Sequence, residues 1–122
     1  MENNLGEYIK SLRKNDKKKR SILKTIEELK ISKQYLMDIE KNKRIPSGDL
    51  LQRIINMYGL LPDKQIFLYD LAANSYKQKK IPFDIVSYII DNEEEKKILR
   101  EKIYKNFINE VEKNGNDKSF KN

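Results

Sequence analysis

Apolar residues recur three or four positions apart along most of this sequence, and that spacing restricts its fold more than any other feature. Apolar side chains spaced in this way line one face of an α-helix. Stretches that alternate apolar and polar residues, which are typical of strands, are nearly absent, and the 122 residues include only four Gly and three Pro. The pattern therefore predicts an all-α fold.

Caps and breaks divide this pattern into seven helical segments. We expect Ser21 and Ser32 to cap the second and third helices and Asn42 to end the third in a left-handed conformation. Asn92 and Glu95 have the spacing of a capping box and are expected to start the last helix. The positions expected to face the core are Leu5, Ile9, Leu12, Ile22, Ile26, Leu29, Leu36, Ile39, Leu50, Leu51, Ile54, Ile55, Tyr58, Ile66, Phe67, Tyr69, Leu71 and Ala72. The last helix carries an apolar ladder of Leu99, Ile103, Phe107 and Val111.

The composition excludes several chemistries. With no Cys and no His, the chain has no disulfide, thiol nucleophile, histidine base or imidazole metal ligand. The sequence also shows no Gly-rich phosphate loop, so we expect no enzyme and no metal or cofactor. The first residues lack the pattern of a signal peptide, and no apolar run approaches the roughly 18 residues that a membrane span needs. We therefore expect a cytoplasmic protein with no membrane partner.

Positive charge is concentrated near the amino terminus. Residues 10–44 hold thirteen Lys or Arg against five Asp or Glu, a net charge of +8, whereas the other residues together carry −1. A local positive field of this size attracts a polyanion such as nucleic acid. A basic surface that is merely solvated is the alternative that the charge alone leaves open.

Only residues 30–32 separate the second and third predicted helices. This is the layout of a helix-turn-helix, whose second helix enters the major groove of DNA. Residues 22–47 resemble the phage-repressor family (Cro-type, xenobiotic-response-element) of helix-turn-helix transcriptional regulators, and residues 5–13 match the first helix of that family. The positions that carry the resemblance are Ile31, Ser32, Tyr35, Leu36, Ile39, Glu40, Arg44 and Pro46.

The resemblance implies a lambda-repressor-like five-helix DNA-binding domain over residues 1–75. A short C-terminal helical extension over residues 76–113 would follow, and residues 114–122 would form a flexible tail. The family pattern also implies a structural ion pair between Arg13 and Glu40 that holds the first and third helices in register.

Three positions depart from the family pattern. Lys30 and Asn42 stand where Gly is preferred, and a left-handed Lys30 would cost roughly 1 kcal/mol, whereas Asn adopts that conformation easily. Arg20 stands where an apolar anchor is common, within the basic connector of residues 15–20. For the charges of residues 17–20, the sequence leaves phosphate contact and simple solvation as alternatives.

The face of the third helix that points away from Leu36 and Ile39 is polar, and its first residues are those that a recognition helix presents to base edges. Gln pairs with adenine, Lys with guanine, Asp with cytosine, and Met contacts the thymine methyl group. The candidate base-contacting residues are Lys33, Gln34, Met37 and Asp38. The candidate phosphate-contacting residues, at the starts and ends of the two helices, are Ser21, Ile22, Lys41, Lys43 and Arg44.

A single short recognition helix reads only a few base pairs, so proteins of this class bind two half-sites as dimers. The extension is more apolar than one small core requires, which indicates a homodimer interface. Packing of these helices on the first five is the alternative that the sequence leaves open. The candidate interface residues are Ile85, Ile89, Leu99, Ile103 and Phe107.

The leading hypothesis is a sequence-specific transcriptional regulator that binds double-stranded DNA. We expect a repressor of phage or mobile-element type that binds a near-palindromic operator as a homodimer and blocks polymerase, including at its own promoter. The alternative is a protein-binding inhibitor on the same scaffold, an antitoxin or an anti-CRISPR-type protein with a second protein as its partner. The basic residues beside the polar face of the third helix favour DNA.

Overall fold

A computed structural model describes the backbone of residues 4–114 and the side chains of residues 4–105. These residues form seven α-helices and no strand, which confirms the prediction of an all-α fold. Within the same range, no helix is both long and apolar enough to cross a membrane, and no group of side chains could hold a metal ion. The helices are α1 (Leu5–Lys14), α2 (Ile22–Leu29), α3 (Lys33–Glu40), α4 (Gly48–Tyr58), α5 (Pro62–Asn74), α6 (Phe83–Ile90) and α7 (Glu93–Asn114).

Serine side chains cap α2 and α3, as the sequence predicts. The Ser21 hydroxyl oxygen accepts a hydrogen bond from the Lys24 N–H at 3.0 Å, and Ser32 accepts one from the Tyr35 N–H at the same distance. Each cap satisfies a backbone donor that the first turn of a helix leaves without an intrahelical partner. Local hydrogen bonding therefore fixes where both helices begin.

Left-handed residues end the same two helices. The backbone φ angle is 58° at Lys30 and 60° at Asn42, which confirms the conformation expected at each position. After α3, the Asn42 N–H donates to the Ile39 carbonyl at 3.0 Å, and the Lys43 N–H donates to the Asp38 carbonyl at 2.8 Å. This pair of bonds is a Schellman motif, which satisfies carbonyl groups that the helix end would otherwise leave open.

Helices α1 to α5 enclose one hydrophobic core. Its members come from all five helices, and most of the core positions predicted for α1 to α4 are buried. Burial of this apolar surface is the main force that holds the short helices together, because each of them alone would be marginal in water. The core residues are Leu5, Tyr8, Ile9, Leu29, Leu36, Ile39, Leu50, Leu51, Ile54, Ile55, Leu68, Tyr69 and Ala72.

Two core positions predicted for α5 are wrong. Ile66 and Phe67 remain 54% and 38% exposed, whereas Leu68, which the prediction omitted, is fully buried. Leu68, Tyr69 and Ala72 lie within one turn of each other and form the buried face of the helix. Because residues 66–69 are all apolar, periodicity offers no contrast that selects the buried face over its neighbour.

Helices α1 and α3 approach each other closely at Gly6. A Cβ atom at this position would lie only 2.5 Å from the carbonyl oxygen of Glu40 and 2.7 Å from that of Ile39. Separations this short are well inside van der Waals contact, so the crossing requires a residue without a side chain. Gly6 therefore sets how near the first helix can lie to the end of α3.

The chain divides into two compact units, residues 1–85 and residues 86–122. In the first unit, the Phe83 ring at the start of α6 covers Gly48 at the start of α4 and stacks on Tyr69, with ring centroids 6.1 Å apart. The second unit contains the rest of α6 and α7. At the start of α7 the Asn92 side-chain oxygen accepts from the Glu95 N–H at 3.0 Å, which confirms the predicted cap.

Candidate nucleic-acid interface

Helices α2 and α3 are joined by a tight turn. In its left-handed conformation, Lys30 redirects the chain at the end of α2. The Lys30 N–H donates to the Glu27 carbonyl at 3.2 Å, and the Ile31 N–H donates to the Ile26 carbonyl at 3.1 Å. Only the turn residue Ile31 and the cap of α3 then remain before the third helix begins. This is the connection that a helix-turn-helix requires.

Helix α3 buries one face and exposes the other. Leu36 and Ile39 are each 1% exposed, whereas Lys33 and Gln34 are exposed at the start of the helix. The Gln34 amide nitrogen Nε2 donates to Asp38 Oδ1 at 2.8 Å, so these two side chains form a pair along the outer face. The first turn of α3 thus presents polar hydrogen-bonding groups in the position from which such helices contact base edges.

Met37 points less directly outward than a helical wheel implies. Its side chain is half-buried and packs against the hydrophobic core, and Asp38 is also half-buried. A thioether that is partly covered by the core retains only part of its surface for other contacts. Of the four candidate base-contacting residues, Lys33 and Gln34 are therefore the most accessible.

The basic candidates after α3 are exposed. Lys41, Lys43 and Arg44 lie at the helix end and in the segment that follows it. The Arg44 guanidinium carbon lies 4.1 Å from the centroid of the Tyr35 ring, a cation–π contact that holds this side chain beside α3. The structure therefore positions one of these three cations through an aromatic side chain of α3.

The start of α2 supplies the remaining candidates for phosphate contact. Ser21 is exposed and Ile22 is half-buried at the first positions of the helix. The first N–H groups of a helix point outward, and the helix dipole makes its N-terminus attractive to anions. Main-chain donors at this end could therefore hold a phosphate oxygen while the Ser21 hydroxyl caps the helix.

The structure brings Arg13 and Glu40 together in a two-pronged ion pair. Arg13 Nε lies 2.7 Å from Glu40 Oε2, and Nη2 lies 2.8 Å from Oε1. The two side chains are only 16% and 5% exposed, and the hydrogen bonds to Glu40 raise the pKa of Arg13. Because both prongs must be aligned, the pair fixes the orientation of α3 against α1.

Asn42 does more than end α3, and sequence reasoning missed this second role. Its side-chain oxygen Oδ1 accepts from the Gly6 N–H at 2.8 Å, and its Nδ2 donates to Asn4 Oδ1 at 2.8 Å. Asn4 is the N-cap of α1. The side chain therefore fastens the end of α3 to the first turn of α1, beside the close approach at Gly6.

The structure overturns both alternatives considered for Arg20 in the connector. Its Nη1 lies 3.0 Å from Asp16 Oδ1, and its Nε lies 2.7 Å from Glu28 Oε2. The side chains of Arg20 and Asp16 are only 7% and 5% exposed, so Arg20 is neither solvated nor presented to a phosphate. With two carboxylates as partners, it occupies the place where the family resemblance leads one to expect an apolar anchor. Residues 17–19 are exposed.

Electrostatics around the connector favour charged Asp16 and neutral Tyr58. Burial acts to raise the pKa of Asp16, but hydrogen bonds from the Lys18 N–H, the Arg20 N–H and the Arg20 guanidinium outweigh it and lower the pKa. Burial, together with the Asp16 carboxylate, raises the pKa of Tyr58 to about 12. Asp16 and Arg20 are four positions apart in sequence, but the connector is not helical, so the spacing rule for helix surfaces gives no signal for this pair.

The candidate dimer-interface residues lie in two helices. Ile85, Leu99 and Ile103 are exposed, and Ile89 is partly buried. The side chain of Phe107 lies outside the residues whose side chains the structure describes, as does that of Val111, and the predicted tail from residue 115 onward lies outside the described backbone.

Comparison with known proteins identifies the central part of the chain. The model of the Helix-turn-helix family matches residues 9–65, a span that contains α2, α3 and α4. Comparisons with curated proteins and with solved structures gave no significant match. Residues 9–65 therefore form a phage-repressor-like helix-turn-helix domain, of the kind found in DNA-binding transcriptional regulators.

Proposed function

We propose that this protein is a sequence-specific repressor that binds a near-palindromic operator as a homodimer. The observation that carries the proposal is the geometry of α3. The helix is capped by Ser32, fixed to α1 through Arg13 and Glu40, and polar along its exposed first turn. A rigidly held helix with outward hydrogen-bonding groups can bind a groove without losing much conformational entropy on contact.

The base-contacting roles follow from the chemistry of four side chains of α3. Lys33 can donate to guanine O6 and N7, and the Gln34 amide can pair with adenine. The Asp38 carboxylate can accept from cytosine N4, and the part of Met37 that stays exposed can contact a thymine methyl group. The exposure of Lys33 and Gln34 supports them as the main contacts.

Phosphate contacts would set the position of the helix on the duplex. The exposed side chains of Lys41, Lys43 and Arg44 support this role, and the main-chain N–H groups at Ser21 and Ile22 support it at the start of α2. Contacts of this kind contribute affinity that depends on salt but carry no sequence information directly.

Dimerisation would double the length of sequence that the protein reads. The exposed apolar side chains of Ile85, Leu99 and Ile103, together with Ile89, support an interface in α6 and α7. Two α3 helices about one duplex turn apart would contact equivalent half-sites. A dimer on an operator that overlaps a promoter, including that of its own gene, would prevent polymerase from binding, as expected for a phage or mobile-element repressor.

A protein-binding inhibitor, of the antitoxin or anti-CRISPR kind, is the second candidate. The exposed apolar side chains of Val86, Tyr88 and Ile90 in α6 favour it, because exposed apolar groups often mark a protein contact. This function would not require the polar first turn of α3, whereas the repressor requires it. DNA binding therefore distinguishes the two candidates.

A titration against two duplexes at two salt concentrations tests the proposal. One duplex carries the DNA upstream of the gene, and the other is a scrambled version of the same composition. We expect the upstream duplex to bind more tightly at both concentrations, with the difference between the two retained at high salt. Equal affinity for both duplexes would leave only nonspecific electrostatic binding and would contradict the repressor.

Two alanine variants separate the contacts to bases from the contacts to phosphates. Gln34→Ala should weaken binding to the upstream duplex by about 1–3 kcal/mol and change binding to the scrambled duplex little. Lys43→Ala should weaken binding to both duplexes alike and reduce the salt dependence by about one phosphate contact. Identical behaviour of the two variants would show that the assignment of these residues is wrong.

A further inference from the structure

We propose that Asp38 is a positioning residue that orients the Gln34 amide and thereby makes Gln34 select adenine over guanine. This inference rests on the proposed function, since it assigns a base preference to one position of the same DNA contact. It also gives Asp38 a role different from direct contact with cytosine.

The two side chains already form a hydrogen bond in the protein without DNA. Gln34 Nε2 donates to Asp38 Oδ1 at 2.8 Å, one helical turn along α3. Asp38 is half-buried, and its backbone carbonyl accepts the Lys43 N–H at 2.8 Å in the motif that ends the helix. Because its side chain is partly covered, Asp38 is the more restricted partner, and the exposed Gln34 is the side chain that the bond orients.

The chemistry of the acceptor decides which end of the amide faces it. An ionised carboxylate only accepts hydrogen bonds, whereas a glutamine amide has a donor end and an acceptor end. The NH₂ end of Gln34 must therefore face Asp38, because the reversed amide would place its oxygen against a negatively charged oxygen. Asp38 removes the ambiguity in orientation that a free glutamine amide has.

The oriented amide complements adenine and not guanine. With one N–H engaged by Asp38, Gln34 retains one N–H donor and the acceptor Oε1. In the major groove, adenine presents the acceptor N7 and the donor N6–H, which match these two groups, whereas guanine presents two acceptors, N7 and O6. Against guanine, Oε1 would face a second acceptor, which leaves a polar group without a partner at the interface.

Base-pair preferences of the full-length protein and its variants test this role. A duplex that the wild type prefers is first selected from a randomised library, and each of its positions is then changed to all four base pairs. We expect the protein to bind a duplex with adenine at the position contacted by Gln34 about 5- to 150-fold more tightly than one with guanine there. Gln34→Ala should remove the preference at that position and identify it.

Asp38→Asn is the decisive variant. It preserves the shape of the side chain and one oxygen, but its amide can also donate, so it tolerates both orientations of Gln34. We expect it to lose most of the preference for adenine over guanine at the Gln34 position and no preference elsewhere. In the Gln34→Ala background it should change no preference at all, because the residue that it orients is absent.

Asp38→Glu is the matched control, because it keeps an ionised side chain that only accepts, and it should retain the preference for adenine. Loss of the negative charge in Asp38→Asn should strengthen binding to every duplex alike. The ratio of the affinities of one variant for two duplexes is insensitive to that general effect, so this ratio reports the orientation of Gln34. Circular dichroism verifies that each variant keeps the helical content of the wild type.

Three outcomes would overturn the inference. If Asp38→Asn changed a cytosine preference at another position and left the Gln34 position unaltered, Asp38 would be a direct base contact. If it changed no preference, the pair would be a surface contact without effect on recognition. If the wild type bound all duplexes equally, the repressor proposal would fail as well, whereas the first two outcomes would leave that proposal intact.

Discussion

Lys30 and Asn42 share a left-handed backbone conformation, but only the Asn42 side chain makes hydrogen bonds that stabilise it. Both residues are left-handed, with φ angles of 58° and 60°. The Lys30 side chain is exposed at the turn, whereas the Asn42 amide bonds to Gly6 and Asn4. The same conformation is thus strained at one position and compensated by hydrogen bonds at the other.

Substitution by Gly at both positions tests this difference. Lys30→Gly should raise the free energy of unfolding by about 0.5–1 kcal/mol, because relief of the left-handed strain exceeds the extra freedom of the unfolded chain. Asn42→Gly should lower it by about 1–2 kcal/mol, because the Gly6 N–H loses its acceptor. Urea unfolding followed by circular dichroism measures both values. Stabilisation by both substitutions would contradict a role for the Asn42 side chain.

Asp16 makes stability depend on pH in the acid range. Its pKa in the folded protein is below the ordinary value of 3.8, so its contribution is present above that pH and is lost as the pH falls through the folded pKa. We expect the free energy of unfolding to fall below about pH 4, and to fall less steeply in Asp16→Asn. Asp70→Asn, which changes an exposed carboxylate, should keep the slope of the wild type. Equal slopes in all three proteins would exclude Asp16 as the source.

At the scale of elements, ion pairs of Arg20 stabilise the connector between α1 and α2. The family resemblance leads one to expect an apolar residue at this position. Arg20 contacts Asp16 within the connector, Glu28 on α2, and the carbonyl of Met57 on α4 at 3.3 Å. Its guanidinium carbon also lies 6.0 Å from the centroid of the Tyr58 ring. One side chain therefore holds two helices to the connector, and its loss would leave the buried Asp16 carboxylate with only its backbone donors, the Lys18 and Arg20 N–H groups.

Removal of that side chain should be costly. Arg20→Ala should lower the free energy of unfolding by about 3–5 kcal/mol, because breaking a buried ion pair leaves an uncompensated charge. Lys17→Ala removes the same charge from an exposed position and should change stability by less than about 0.5 kcal/mol. Thermal and urea unfolding of the two variants measure the difference. Similar stability of both variants would show that the connector does not depend on Arg20.

The sequence predicted the elements better than the contacts between them. Caps such as Ser21 and Ser32 act within four residues, so the local sequence pattern was enough to identify them. Each of α1 to α4 has one clear apolar face, so periodicity also identified the side that is buried. The buried side of α5 was misassigned because residues 66–69 are uniformly apolar. The ion pair of Arg20 with Glu28 and the link from Asn42 to Gly6 depend on how the helices meet, which periodicity within one helix does not encode.

At the scale of the whole molecule, only part of the basic charge is directed outward. Residues 10–44 carry a net charge of +8, but Arg13 and Arg20 are engaged by carboxylates in ion pairs that are largely buried. These two arginines therefore stabilise the fold instead of meeting phosphates. In the proposed complex with DNA, the electrostatic part of binding would therefore come from exposed lysines and from Arg44.

Charged substitutions in α7 test the proposed dimer. Leu99→Asp combined with Ile103→Asp should convert the protein from dimer to monomer in sedimentation, because a carboxylate would be desolvated at the interface. Affinity for a two-half-site operator should fall by about 10²- to 10⁴-fold as the two contacts become independent. Binding to a single half-site should remain as in the wild type. A variant that stays dimeric, or a wild type that is monomeric when it saturates DNA, would contradict this interface.

The link from Asn42 to Asn4 and Gly6 has a practical consequence for protein production. An affinity tag or fluorescent fusion placed ahead of Asn4 would lie next to the hydrogen bonds that secure the end of α3 and could disturb them. Its bulk would then alter the measured operator affinity even without touching the duplex. Handles for purification or imaging placed there are therefore best removed by protease before any binding assay.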